Sequence, residues 1–291
     1  MHLDQIRDRF LDTVKAGWML LMKEKQPVVW LLAILIGLLV AYAVLVFRTL
    51  IGTIQLAWVG TQAKEMVAMV TELPWYIVLI MPAVGGLIVG LLLQFVLPHK
   101  RPEGVAEVIE ARALKNAQMP FLSGLGAALV STVSLGFGAS AGREGPAVHL
   151  GASLASSIGR FMSFPPATAR TILGCGVAAA VSASFNAPLA GMIFALEVVL
   201  GHYALSAFIP IAIASVVATA VTHFHLGNFP AFIIPEYAIT SFWEFPAFTL
   251  LGLTCGLVAI CFQSSLSFAD WTARRVTCPL WARPVIAGLI I

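Results

Sequence analysis

The stretch LGFGASAGREGPAVHLGAS, Leu135 to Ser153, decides how this chain is read. Within it, Arg143 and Glu144 are the only Asp, Glu, Lys or Arg residues between Lys115 and Arg160, and the run around them is otherwise apolar and rich in glycine. An ionisable side chain at bilayer depth costs about 2.5–3.5 kcal/mol on insertion scales, so it is expected to face a bundle interior or a watery cavity. Gly142 and Gly145 flank the pair, and Pro146 follows. Proline suits the first turn of a helix, where its missing N–H would have had no partner in any case. Glu144 is therefore expected to open a helix whose free amides and positive dipole end attract anions. The alternative is an ordinary Glu–Arg pair at a helix end near the interface.

The composition places that stretch in lipid. Hydrophobic residues make up 59% of the 291 and charged ones 11%, with a mean hydropathy of +0.93; soluble domains carry roughly 25% charged residues. An all-α, polytopic membrane protein follows. Uncharged runs at 27–47, 74–98, 120–142, 171–196, 198–222 and 245–269 are long enough to cross a hydrocarbon layer of about 30 Å as helices. Arg7, Arg9, Lys15, Lys23 and Lys25 precede the first run, and the positive-inside bias then puts the N-terminus in the cytoplasm of a multi-pass protein of the cell membrane. They alternate with Asp4, Asp8, Asp12 and Glu24, so residues 1–26 read as an amphipathic cytoplasmic helix and not as a cleaved signal.

Several functions are excluded. A net charge of +3 with no Lys/Arg block gives no footing for nucleic acid. Cys175, Cys255, Cys261 and Cys278 show no CxxC spacing and read as packing residues. The histidines are scattered, and His223 and His225 lack a nearby Cys or carboxylate, so no metal and no cofactor is expected. The chain has no HExxH, no GxSxG and no GK[ST], and an enzyme is not expected.

Along the chain, 27–59 is followed by 74–98, where Gly86 and Gly90 have the spacing that lets helices approach closely. The polar segment His99–Asn116, charged at Glu107, Glu110, Arg112 and Lys115, predicts a short helix opening at Pro102 to Gly104. FPPATAR, Phe164–Arg170, reads as a break, and 174–183 as too short for a span before SFNAPLAG. There Asn186 is expected to cap a helix that has Pro188 in its first turn, and Pro210 is expected to interrupt a later one. Broken helices point to a binding site, because irregular backbone survives at that depth only when buried in protein or lining a cavity. Residues 223–245 read as an interfacial loop with Tyr237, Phe242 and Trp243 as belt aromatics. The last apolar segment, Pro284 to Ile291, is too short to finish a crossing, which predicts a chain cut short.

GREGP at Gly142–Pro146, FNAPLAG at Phe185–Gly191 with an apolar run on to Glu197, and EGVAEVIEA at Glu103–Ala111 resemble the ClC family of chloride channels and chloride/proton exchangers. The resemblance covers the chain from residue 27 but only about the first half of a family member. It implies a first inverted repeat over 27–245, the opening of a second over 246–291, and a homodimer that makes contact through Leu189–Val221. It also implies chloride as the transported partner. Glu144 matches the gating glutamate; Arg143, Gly145, Gly104 and Glu103 match the anion-binding positions; Gly142, Pro146, Asn186, Pro188 and Glu197 match the structural motif. Glu103 stands where a GSGIP-type loop would place a serine, and Pro102 has no amide to offer an anion. Exchangers of the family often carry a second glutamate directly after the position of Glu197, and this chain has Val198 there. A passive chloride channel gated by voltage or pH is the implied mode, with a chloride/proton antiporter or a non-conducting half-protein acting as an assembly partner as alternatives.

Overall fold

The chain is described by a computed structural model over residues 26–60, 66–95, 97, 100, 101, 103–227, 241–275 and 278–290. The amphipathic helix expected over 1–26 lies outside these residues except for its last position, as do Pro102 and Tyr237. All regular structure among the described residues is helical.

The elements run α1 Gln26–Val59, α2 Met66–Glu72, α3 Trp75–Phe95, α4 Val105–Leu114, α5 Phe121–Gly136, α6 Glu144–Phe161, α7 Pro166–Phe185, α8 Pro188–Phe194, a π-helical segment Ala195–Leu200, α9 Leu205–Leu226, α10 Glu244–Arg275 and α11 Ala282–Ile290. Among them α1, α3, α7, α9 and α10 are long and apolar enough to cross a membrane. With its 34 residues, α1 is about 51 Å long at 1.5 Å per residue, well beyond the hydrocarbon thickness.

The sides of α1 show which solvent the fold was built for. Ala33, Ile36, Val40, Ala41 and Val44 are buried, whereas Leu31, Leu35, Leu39, Tyr42 and Val46 point outward. Both faces are apolar, which suits lipid outside and protein inside. α10 has no buried residue in the described structure.

At the centre stands α7, in contact with α1, α6, α8 and α9. Every residue from Ile172 to Ala183 is buried, as expected of a helix apolar all round. Lipid tails are as apolar as leucine, so such a helix is held by close packing and interhelical hydrogen bonds. Small residues make the approach possible: a Cβ on Gly176 would sit 2.3 Å from the Gly151 carbonyl oxygen of α6. Buried Ser182 and Ser215 share a 2.6 Å hydrogen bond between α7 and α9, and the Ser215 hydroxyl also donates to the Pro188 carbonyl that begins α8.

The Gly86 and Gly90 pair does what its spacing suggested. Added Cβ atoms there would meet the carbonyl oxygens of Pro284 and Trp281 at 2.2 and 2.3 Å, so α3 and α11 cross almost backbone to backbone.

Four local expectations are corrected. Pro165 and Pro166 do not break a span; Pro166 is the first residue of α7, a position that needs no N–H, and the resulting 20-residue helix is long enough to cross. Asn186 does not cap the next helix. It adopts φ 58°, closes α7 in the left-handed conformation, and leaves Ala187 at the N-cap of α8; asparagine tolerates that region because its short side chain bonds locally. Pro210 lies inside an uninterrupted α9: it is the sixth residue, so the bond it removes is near the start. Of the cysteines, Cys175 is buried as packing requires, whereas Cys255 and Cys261 are exposed on α10.

Candidate functional site

Two helix starts meet in the interior. α6 begins at Glu144, as the GREGP pattern predicts, with Pro146 in its first turn and no side chain capping its amides. α4 begins after Gly104, and a Cβ on Gly104 would lie 4.0 Å from the Gly145 Cα. Gly145 itself has nothing within 4 Å of its Cβ position, so the start of α6 opens into free space. Two positive dipole ends thus face one gap, each equivalent to about half an elementary charge. An anion fits that electrostatic arrangement without a basic side chain in direct contact.

The surrounding elements fix this geometry. Buried Ser156 of α6 accepts from the Met119 amide and donates to the Ala117 carbonyl, both at 2.8 Å, which pins the α4–α5 connection to α6. Ala117 and Asn116 have φ of 61° and 50° there, forming the turn that ends α4. Arg112 donates to the Leu200 carbonyl, tying α4 to the end of the π-helical segment. At the far end of α5, Trp58 Nε1 donates 2.9 Å to the Gly136 carbonyl, so α1 supplies a partner for a carbonyl that a helix end leaves open.

The Glu144 carboxylate folds back over the loop before its own helix. A Cβ at Gly142 would come within 2.8 Å of its Oε2, and Arg143 Nε lies 3.9 Å from Oε1. Both side chains are a little over one-third exposed, so the carboxylate occupies an opening and not the packed core. A small cleft beside it is lined by Arg48 of α1 together with Arg143, Ala183 and Ser184. Two guanidinium groups therefore stand near the start of α6. Arg48 carried no sequence signal, because nothing local distinguishes an arginine in α1 that faces the site from one that faces outward.

The α4 end differs from what the EGVAEV segment suggested. The Gly104 amide is already engaged, donating 2.8 Å to Glu107 Oε2, and Glu107 also pairs with Arg101 at 3.5 Å. A glutamate three residues into a helix reaches back to the cap amide in this way, so an anion here depends on the amides that follow Gly104. Glu103, at the position of the family's serine, is buried and turned away from solvent. Its carboxylate accepts from the Ser123 hydroxyl of α5 and lies 3.3 Å from His149 Nε2 of α6. Neither partner was visible in the sequence: Ser123 is 20 residues away, and His149 was one of several scattered histidines.

Pro188 opens α8, which passes directly into the π-helical segment. Glu197 lies in that segment and accepts 3.1 Å from the Tyr203 hydroxyl, while Val198 is exposed beside it.

Comparisons with known proteins agree with this architecture. The family profile described as voltage gated chloride channel matches residues 85–291. A ClcB-like protein of Ralstonia nicotianae is 30% identical over 261 residues, covering 88% of this chain and 61% of that protein. Chloride channel protein CLC-e of Arabidopsis thaliana is 32% identical over 276 residues, covering 89% of this chain and 38% of its own length. Among solved structures, a slow cyanobacterial Cl−/H+ antiporter superposes with a TM-score of 0.74 at 20% identity, covering 90% of this chain and 63% of that one. A CLC-type fluoride/proton antiporter gives 0.73 at 24% identity, with 91% and 63% covered. The chain thus spans less than two thirds of the length of these relatives.

Proposed function

Because the chain belongs to the ClC family of voltage gated chloride channels, we propose that it forms part of a pathway carrying chloride or a similar small anion across a membrane, with Glu144 as the gating carboxylate. One observation carries the reading: the amide ends of α4 and α6 come together at Gly104 and Gly145, and the partly exposed Glu144 carboxylate lies just before the start of α6, beside Gly142 and Arg143. A carboxylate resembles a halide to a ring of backbone dipoles, so the side chain and chloride compete for the same amides. Residues 27–245 then supply the first repeat of the pathway and 246–291 the opening of the second.

Passive conduction is the favoured mode. Val198, where exchangers of the family often carry a second glutamate, cannot take up a proton. The two solved structures are described as proton antiporters, which makes coupled exchange the second reading. Liposomes loaded with chloride and containing the full-length protein decide between them. Passive conduction gives chloride efflux under valinomycin and potassium with no accompanying pH change. Efflux that drives protons uphill assigns exchange, and no efflux from well-folded protein leaves only the assembly-partner role.

The same reading includes a homodimer. Leu189 and Ile193 of α8 and Leu205, Phe208 and Val216 of α9 are exposed large apolar side chains spread over two adjoining helices. Cross-linking in mild detergent is expected to give a dimer that Val216→Lys abolishes; a monomer throughout removes the dimer.

A further inference from the structure

Glu103, Ser123 and His149 form a buried polar cluster just behind the start of α4, and the gating scheme makes no use of it. The side chains of Glu103 and His149 are 4% and 1% exposed. His149 Nε2 is 3.3 Å from the Glu103 carboxylate, and the Ser123 hydroxyl donates to the same oxygen. His149 Nδ1 has no hydrogen-bond partner among the described residues. Glu103 immediately precedes Gly104, the N-cap of α4, so its charge lies beside one of the two dipole ends that face the anion gap.

We propose that Glu103 and His149, supported by Ser123, are a proton-binding site that sets the charge beside the amides of α4, so that the protein takes up a proton as it binds an anion there. This rests on the reading that α4 and α6 hold an anion, and it assigns that site a regulator.

The proton balance is simple. With the carboxylate ionised and the imidazole neutral, Nε2–H donates to Glu103 and the cluster carries one negative charge. Nδ1 is then the open ring position. One added proton gives either an imidazolium–carboxylate pair or an acid–imidazole pair, and in both forms the net charge is zero; nothing leaves. A buried carboxylate beside an anion site opposes the anion through a medium far less polarisable than water, so the neutral cluster favours occupancy. Linkage is reciprocal: if protonation strengthens anion binding, anion binding must draw in a proton.

Other charged groups nearby are already engaged. On α4, Glu107 takes the Gly104 amide and pairs with Arg101, while Glu110 pairs with Lys115 at 3.0 Å and Arg112 donates to Leu200. On α5 the facing group is the Ser123 hydroxyl. On α6 it is His149, with Glu144 held beside Arg143 at the helix start. A purely structural role for the cluster, tying α4 to α5 and α6, would show none of this proton linkage.

The test is calorimetric titration of chloride into the full-length protein in two buffers of different ionisation enthalpy, together with the infrared carbonyl stretch of protonated carboxyl groups as pH is lowered. Wild type is expected to take up protons on binding chloride and to bind it about 5- to 150-fold more tightly at the acid limit, the usual span of such couplings. Glu103→Gln should remove both the proton uptake and the pH dependence. His149→Gln, which keeps a hydrogen-bond donor but cannot titrate, should reduce them. Undiminished uptake in both variants, or pH-independent chloride binding in wild type, overturns the proposal. If wild type binds no chloride, the anion reading falls and the infrared titration decides for the proton site alone: a carboxylic acid band lost in Glu103→Gln, or an imidazolium ring band lost in His149→Gln, sustains it, and the absence of both removes it.

Discussion

Glu144→Ala in the full-length protein is expected to raise anion occupancy at the start of α6 by about 2- to 30-fold, because a charge at a helix N-terminus is worth about 0.3–2 kcal/mol and 1.4 kcal/mol is a factor of ten. The carboxylate lies beside Gly142 at the mouth of α6, next to amides that no side chain caps, so its removal clears the approach to those amides and takes away a repelling charge together. Flux through liposomes should rise. Glu144→Gln separates the two contributions, since the amide keeps the size of the side chain but not its charge. If Gln behaves like Ala, electrostatics dominates; if Gln stays near wild type, the obstruction is steric. Flux unchanged by both variants would refute the gating assignment. The measurement is chloride efflux followed with a chloride electrode at two external pH values.

The amino-acid sequence by itself supports a helix start at Glu144 because the signals at α6 are contiguous. Gly142, Gly145 and Pro146 surround Glu144 within five residues, and a helix start is dictated by that local chemistry of caps and missing donors. The apolar runs that became α1, α3 and α10 were legible for the same reason: length and composition alone meet the demand of the bilayer.

Where sequence and structure part, one residue type serves two conformations or the partners are far apart. Asparagine can begin a helix or end one, and Asn186 ends α7 because the next proline, Pro188, sets the start of α8 one residue later. Proline can stop a helix or begin one, and Pro166 begins α7. The burial of Glu103 depends on Ser123 and His149 from two other helices, and no spacing along the chain encodes that meeting. The position of Glu103 in its motif was visible. Its orientation was a property of the packing.

Gly176→Leu is expected to leave no folded protein, and even Gly176→Ala should lower stability by about 3 kcal/mol, the upper end of the usual cost of overpacking a core. The reason lies in the crossing of α6 and α7. A Cβ at Gly176 would sit 2.3 Å from the Gly151 carbonyl oxygen and 2.6 Å from the Ala155 Cβ, and the reverse clash holds for Gly151 against the Gly176 oxygen at 2.6 Å. The obstacles include backbone, which cannot swing aside as a side-chain tip can, so the two helices would have to separate. Separation would also loosen α7 from α8 and α9, because the Ser182–Ser215 bond and the Ser215 bond to Pro188 depend on α7 keeping its position. The start of α6 would move with it, and the convergence of Gly104 and Gly145 would be lost. Gly159→Ala in α6 is the control: its Cβ would meet only Ile172, with Cγ2 at 3.4 Å, and alanine gains about 0.8–1 kcal/mol of helix propensity over glycine. Thermal unfolding in detergent, followed by the monodisperse fraction on size-exclusion chromatography, should separate the two sharply. Equal midpoints for Gly176→Ala and Gly159→Ala would mean that the close crossing of α6 and α7 does not hold this fold together.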